Sequence, residues 1–178
     1  AQIQNCVFKG GVRMNNRGGS GLWFIGKSDG LVQNCKCINN DLHGIEVTGQ
    51  AKPILQQNYC CDNKGSGIEY FNDASGKAMK NECSRNVYSG IGLQVKSHPA
   101  LEQNVCKQNG YDGIQVIDQA KPTLIQNICE KNSYYGIEAK KQSQPYMEQN
   151  TCRENKMGGM AYFDEATGKS FKNRCIEN

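Results

Sequence analysis

Glu46 and Glu69 are the acids in this sequence best placed to act together. They lie one 23-residue step apart, and each alternates with apolar neighbours, in Ile45-Glu46-Val47 and Ile68-Glu69-Tyr70. Such alternation is that of a strand with the acid facing out. If the strands stack in register, the carboxyls stand about 5 Å apart, close to the separation of a retaining glycosidase pair. The simpler reading is an exposed pair relaxed by lysine and water. Trp23, the single tryptophan, falls one step earlier in the same register, with Arg13 and Arg17 just upstream. An outward aromatic beside two guanidinium groups fits a sugar or an acidic ligand. Tyr88, Tyr111 and Tyr134 recur at the same interval. They form a strip suited to sugar rings or to a partner chain. The two histidines, His43 beside Gly44 and His98 beside Pro99, read as solvated turn residues.

The interval itself sets the architecture. Cysteine recurs at 37, 60, 83, 106, 129, 152 and 175, always at the same 23-residue step. Glycine keeps that step from Gly21 to Gly159, and asparagine from Asn40 to Asn178. A second asparagine column runs from Asn58 to Asn173, with Cys35 in its first slot. A fixed period of this size means a solenoid.

One unit shows which solenoid. Ile54 to Gln56 reads as a strand, Asn58 as a bend, and Tyr59 to Cys61 as a second strand with Cys60 inward. Asp62 to Gly67 is turn chemistry, and Ile68 to Phe71 is a third strand. Three short strands and three turns per coil predict an all-β, single-stranded parallel β-helix of about seven 23-residue coils. The glycine column is expected to relieve a tight turn before the third strand. The inward column ending in Tyr162 is expected to be core. Residues 21–178 carry the repeats. Residues 1–20 read as a coil with about seven residues inserted near Val12 to Gly18, a loop expected to cap the end. If Asn5 takes the bend position, Gly21 follows it at an interval of 16 instead of the usual 9.

Composition narrows the function classes. The net charge of +4 is mild and interspersed, which argues against nucleic acid. No apolar run is long enough for a membrane-spanning helix. Seven inward thiols stacked in parallel are poorly disposed for disulfides, so the cysteines are expected to be reduced core residues. That reading, with no leader at Ala1, tilts the expectation toward the cytoplasm. Cys35-Lys36-Cys37 and Cys60-Cys61 do not converge as zinc ligands, so neither metal nor cofactor is expected. The sequence stops part-way through a coil at Asn178. This reads as a fragment of a longer helix, or as an end covered by a partner or a second copy.

The unit Pro122-Thr123-Leu124, Asn127-Ile128-Cys129, Asn132 and Gly136-Ile137 resembles the right-handed parallel β-helix repeat of the pectin-lyase-like superfamily and of CASH domains. The resemblance implies that fold and admits pectate lyases, polygalacturonases and alginate epimerases. Those enzymes need clustered acids with a basic residue, three convergent aspartates, or an Asp-Pro-His-Asp stretch. None of these patterns is present, and Asp41, Asp62, Asp73, Asp112, Asp118 and Asp164 read as scattered over different turn columns. The expectation is therefore a non-catalytic scaffold for protein interaction or assembly. The alternative is a carbohydrate-binding or carbohydrate-active domain, with Glu46 and Glu69 as weak catalytic candidates. Trp23, Arg13, Arg17, Tyr88, Tyr111 and Tyr134 are the binding candidates.

Overall fold

The computed structural model describes residues 1–15 and 17–178, with Arg17 as backbone only. The chain winds through three long parallel sheets. The first runs from Gln2–Gln4 to Lys169–Phe171 and the second from Val7–Lys9 to Arg174–Ile176, each with eight strands. The third has seven, from Leu22–Phe24 to Gly158–Tyr162. From the second coil onward the register advances by the same 23-residue step, as in Cys60 against Cys83 and Ile68 against Ile91. No described helix is long and apolar enough to cross a membrane.

Alternation explains the core. Ile45, Ile68, Ile91, Ile114 and Ile137 are buried from the third sheet, Leu55, Leu101 and Leu124 from the first, and Cys60 to Cys152 from the second. Tyr162, expected inside, is 40% exposed. It lies on the last strand of its sheet, where no further coil covers it. Burial pushes the Cys83 thiol far up, so it packs as a small neutral hydrophobe. All ten cysteines are free.

The glycine column has a different cause from the one its residue type implies. Gly44, Gly67, Gly90, Gly113, Gly136 and Gly159 do not take positive φ. They are glycines because the next coil presses on them. A Cβ at Gly113 would stand 2.6 Å from both Cys129 Cβ and the Gly136 carbonyl oxygen. Small inward cysteine and glycine therefore form one packing unit, which is why both columns keep the same period.

The left-handed residues sit at the bends instead. Gln57, Lys80, Gln103, Gln126 and Gln149 all have φ near +54, immediately before a ladder asparagine. Each such residue costs local strain. The asparagines offset it. Asn81 accepts the Asn58 backbone N–H and side-chain amide at Oδ1, while its own Nδ2 donates to Leu55 O and Asn104 Oδ1. Asn40 to Asn178 repeat this pattern at the second bend.

The first coil departs from the period. Ile3 pairs with Val32 and Phe8 with Cys37, an offset of 29, whereas Leu22 pairs with Ile45 at 23. Six residues are thus inserted, and they form an antiparallel hairpin of Arg13–Met14 against Arg17–Gly18. The same offset places Cys6, not Asn5, in the bend column above Cys35. Asn5 is the left-handed residue before it.

Candidate functional site

The candidate groups lie on the outer face of the third sheet. Glu46 and Glu69 are register neighbours there, as the repeat requires. They are not an exposed pair. Glu69 is only 4% exposed, because the position stacked on it in the next coil is Gly92, whose missing side chain leaves the space its carboxyl fills. Gln94 Nε2 donates to Glu69 Oε1 at 2.7 Å, and the Ser66 hydroxyl also supports the carboxyl. Burial outweighs these donors and pushes Glu69 up to about 7. Glu46 remains half-buried and accepts the Ser20 hydroxyl at 2.7 Å.

His43 is likewise not a solvated turn residue. Its side chain is 17% exposed and its Nδ1 lies 3.9 Å from Glu69 Oε2. The Ser66 backbone N–H donates to that nitrogen at 3.0 Å, which leaves the ring proton on Nε2. Burial, aided by the Arg13 charge, holds the imidazole down at about 4. The contact is therefore between a neutral imidazole and a carboxyl that titrates near neutrality, not an ion pair. His98 is exposed, as expected of a turn residue.

These groups line an open groove of 230 Å³, with Arg13, Asp41 and Lys64 at one side and Tyr88, Gln94 and Gln115 at the other. Lys64 pairs with Asp41 at 2.8 Å, and Asp41 Oδ2 also accepts the Arg13 backbone N–H. The inserted hairpin thus supplies a wall of the groove. Trp23 is 47% exposed on the same face, in register with Glu46, but outside the groove walls. The Arg17 side chain lies outside the described residues.

The tyrosine strip is present but partly self-occupied. Tyr111 and Tyr134 stack at 4.3 Å, with their planes 12° apart, whereas Tyr88 is tilted 6.3 Å from Tyr111. A sugar can meet the edges of the stacked pair but cannot slip between them. Tyr88 alone of the three lines the groove.

A second polar cluster sits farther along this face. Asp112 is fully buried and belongs to the same column as His43, three repeats on, rather than to a separate turn column. Gln115 Nε2 donates to both Asp112 Oδ2 and Glu138 Oε2 at 3.0 Å, and Lys140 pairs with Glu138 at 2.7 Å. Burial pushes Asp112 up to about 7. The recurring signal is a 26-residue offset, in Ser20–Glu46, His43–Glu69 and Asp112–Glu138. It links the turn column to the outward acid of the following coil. Among the described residues, no three or more His, Cys, Asp or Glu gather as a metal-holding group.

Comparison with known proteins accords with this architecture. No curated protein matches the sequence. Among solved structures, the periplasmic alginate epimerase AlgG superposes with a TM-score of 0.73 at 18% identity, over 87% of this chain and 42% of that one. The A-module of the Azotobacter vinelandii mannuronan C-5 epimerase AlgE4 gives 0.66 at 14% identity, over 99% of this chain and 55% of that one. The chain therefore spans about half the length of these structures or less, and at such identities the likeness is one of fold. The family model described as right handed beta helix region matches residues 1–144. With most of the chain matched, this protein belongs to the right-handed β-helix family.

Proposed function

We propose that the chain is a carbohydrate-active domain that binds a polysaccharide in the groove over Glu69 and moves a proton there. One observation carries this reading. A carboxyl at the floor of an open groove, held near 7 by burial, is poised to exist in both forms at neutral pH. Such a group donates as the acid and accepts as the base, which is what proton transfer at a sugar oxygen or ring carbon requires. Neutral His43 and the Gln94 amide fix its place without clamping it in one charge state. Arg13 and Lys64 at the rim suit an acidic sugar. The epimerase likenesses support a carbohydrate in this role, and Tyr88 offers an aromatic edge to it.

A scaffold that only presents a flat repetitive surface would account for the unbroken period. It leaves unexplained why a carboxylate is buried at the base of a groove when solvent is close by.

Binding and turnover should be measured with mannuronan and with a panel of neutral and acidic polysaccharides. Glu69→Gln, which keeps the shape, is expected to bind as the parent does and to lose turnover at least a hundredfold. No binding to any polysaccharide, or full turnover by Glu69→Gln, would overturn the reading.

A further inference from the structure

The bend column reads Cys6, Cys35 and then asparagine without exception from Asn58 to Asn173. The two departures adjoin one another, and both are to cysteine. Asparagine at this bend makes hydrogen bonds in both directions along the ladder. Cysteine has no amide to donate, so each replacement forgoes part of that network. Cys35 keeps what it can. Its backbone N–H goes to Asn58 Oδ1 at 3.0 Å, and its sulfur accepts the Cys6 backbone N–H at 3.4 Å.

The two thiols are oriented alike. Cys6 Sγ bonds to Gln4 O at 3.2 Å and Cys35 Sγ to Gln33 O at 3.3 Å, and Gln4 and Gln33 are register partners. Equivalent side chains on stacked parallel coils lie about 4.8 Å apart. Parallel side chains at that spacing lack the near-perpendicular torsion a disulfide needs, with its bond of about 2.05 Å. The spacing suits a different bridge. Two metal–sulfur bonds of about 2.3 Å placed end to end span about 4.6 Å. A linear S–metal–S unit, with each Cβ–S bond roughly perpendicular to it, fits thiols that point the same way from adjacent coils.

We propose that Cys6 and Cys35 form a two-coordinate site for a soft monovalent d10 cation, Cu(I) being the biological member of that class. Thiolate ligands select such an ion over harder ones. Binding forms two metal–sulfur bonds and breaks two S–H bonds. Both protons leave to solvent, and the metal keeps its oxidation state. Cys6 is exposed and gives an ion a route in, while Cys35 is buried and shields it from water. The Cys6 backbone N–H at Cys35 Sγ stabilises the thiolate that results. The core ladder has the same spacing and also ends in a buried and exposed pair, Cys152 and Cys175, but among the described residues no backbone N–H donates to either of those sulfurs as the Cys6 N–H does to Cys35 Sγ.

The test is an anaerobic titration of the whole chain with Cu(I) supplied as its bicinchoninate complex, following chelator colour and proton release. One tight equivalent and two protons per ion are expected. Cys6→Ser and Cys35→Asn should each abolish uptake, and Cys175→Ser should not. Cys35→Asn restores the ladder amide, so its loss of uptake should come with unchanged or raised thermal stability, which separates ligation from folding. Failure to compete with the chelator would overturn the proposal. So would equal uptake by Cys6→Ser, loss of uptake in Cys175→Ser, or a Cys6–Cys35 disulfide in the isolated protein.

Discussion

Gly92 owes its identity to Glu69. A Cβ at Gly92 would collide with both carboxylate oxygens of its register partner, so the only outward position in this column without a side chain is the one that seats a buried acid. Gly92→Ala should therefore push the Glu69 carboxyl toward water and lower its titration point from about 7 toward the ordinary carboxylate range. Carboxyl-carbon NMR titration reads this directly. An unchanged midpoint in a folded variant would refute it.

Stability should carry the signature of that acid. Burial raises the Glu69 midpoint from 4.5 to about 7 in the folded state, so its contribution is fully present below about 4.5 and is lost as pH rises through about 7. The loss is about 3 kcal/mol. Asp112, raised to about 7, acts in the same direction. His43 acts oppositely: its contribution is present above 6.5 and is lost as pH falls through about 4. Glu69→Gln should thus stabilise the protein at pH 8 and do little at pH 4. Denaturant midpoints at the two values check the sign.

Asn104 stands at the middle of its ladder and makes four buried side-chain hydrogen bonds: it accepts from Asn81 N–H and Nδ2, and donates to Ala78 O and Asn127 Oδ1. Asn104→Ala strands partners on both sides, at a cost of about 3–5 kcal/mol. The neighbouring Gln103, whose amide bonds Gln126 at the surface, should tolerate alanine within about 0.5 kcal/mol. Chemical denaturation of the two variants should separate them clearly.

Ser97 and Ser143 are buried, and among the described residues their hydroxyls find no hydrogen-bond partner. The same column holds Ala51, Ala74 and Ala120 in other coils, so the site already accepts a methyl group. Ser97→Ala and Ser143→Ala should each stabilise by about 1 kcal/mol, because an unpaired hydroxyl is no longer desolvated. A lowered midpoint in thermal unfolding would show that the hydroxyls are satisfied after all.

The repeat made most of this molecule legible in advance. Columns that keep one period place Glu46 beside Glu69 and Tyr111 beside Tyr134 without any structure. What stayed hidden depends on contacts between coils. Glu69 reads as exposed because its burial is decided by Gly92, a residue in the next coil whose effect is an absence. His43 reads as solvated because its partner, the Ser66 N–H, is backbone. Asn5 draws the eye as a ladder residue, and only the longer offset of the first coil shows that Cys6 holds the place. The offset between the turn column and the outward acids was present in the sequence and would have singled out His43 and Asp112.

The asparagine ladders have a direction. In both columns the amide-to-amide hydrogen bonds all run one way, each donated to the amide of the next coil, as from Asn58 to Asn81 to Asn104 and from Asn63 to Asn86 to Asn109, while the second N–H of each amide goes back to a backbone carbonyl, as from Asn81 to Leu55 O. The amide dipoles therefore add along the rod instead of cancelling, with their positive ends toward the C-terminal coils. Backbone hydrogen bonds between parallel strands alternate in sense and contribute little to this sum. The two ladders thus add a permanent axial component to the dipole of the rod, and the transient of its electric birefringence on field reversal should show a permanent-dipole part that changes when mid-ladder asparagines are removed.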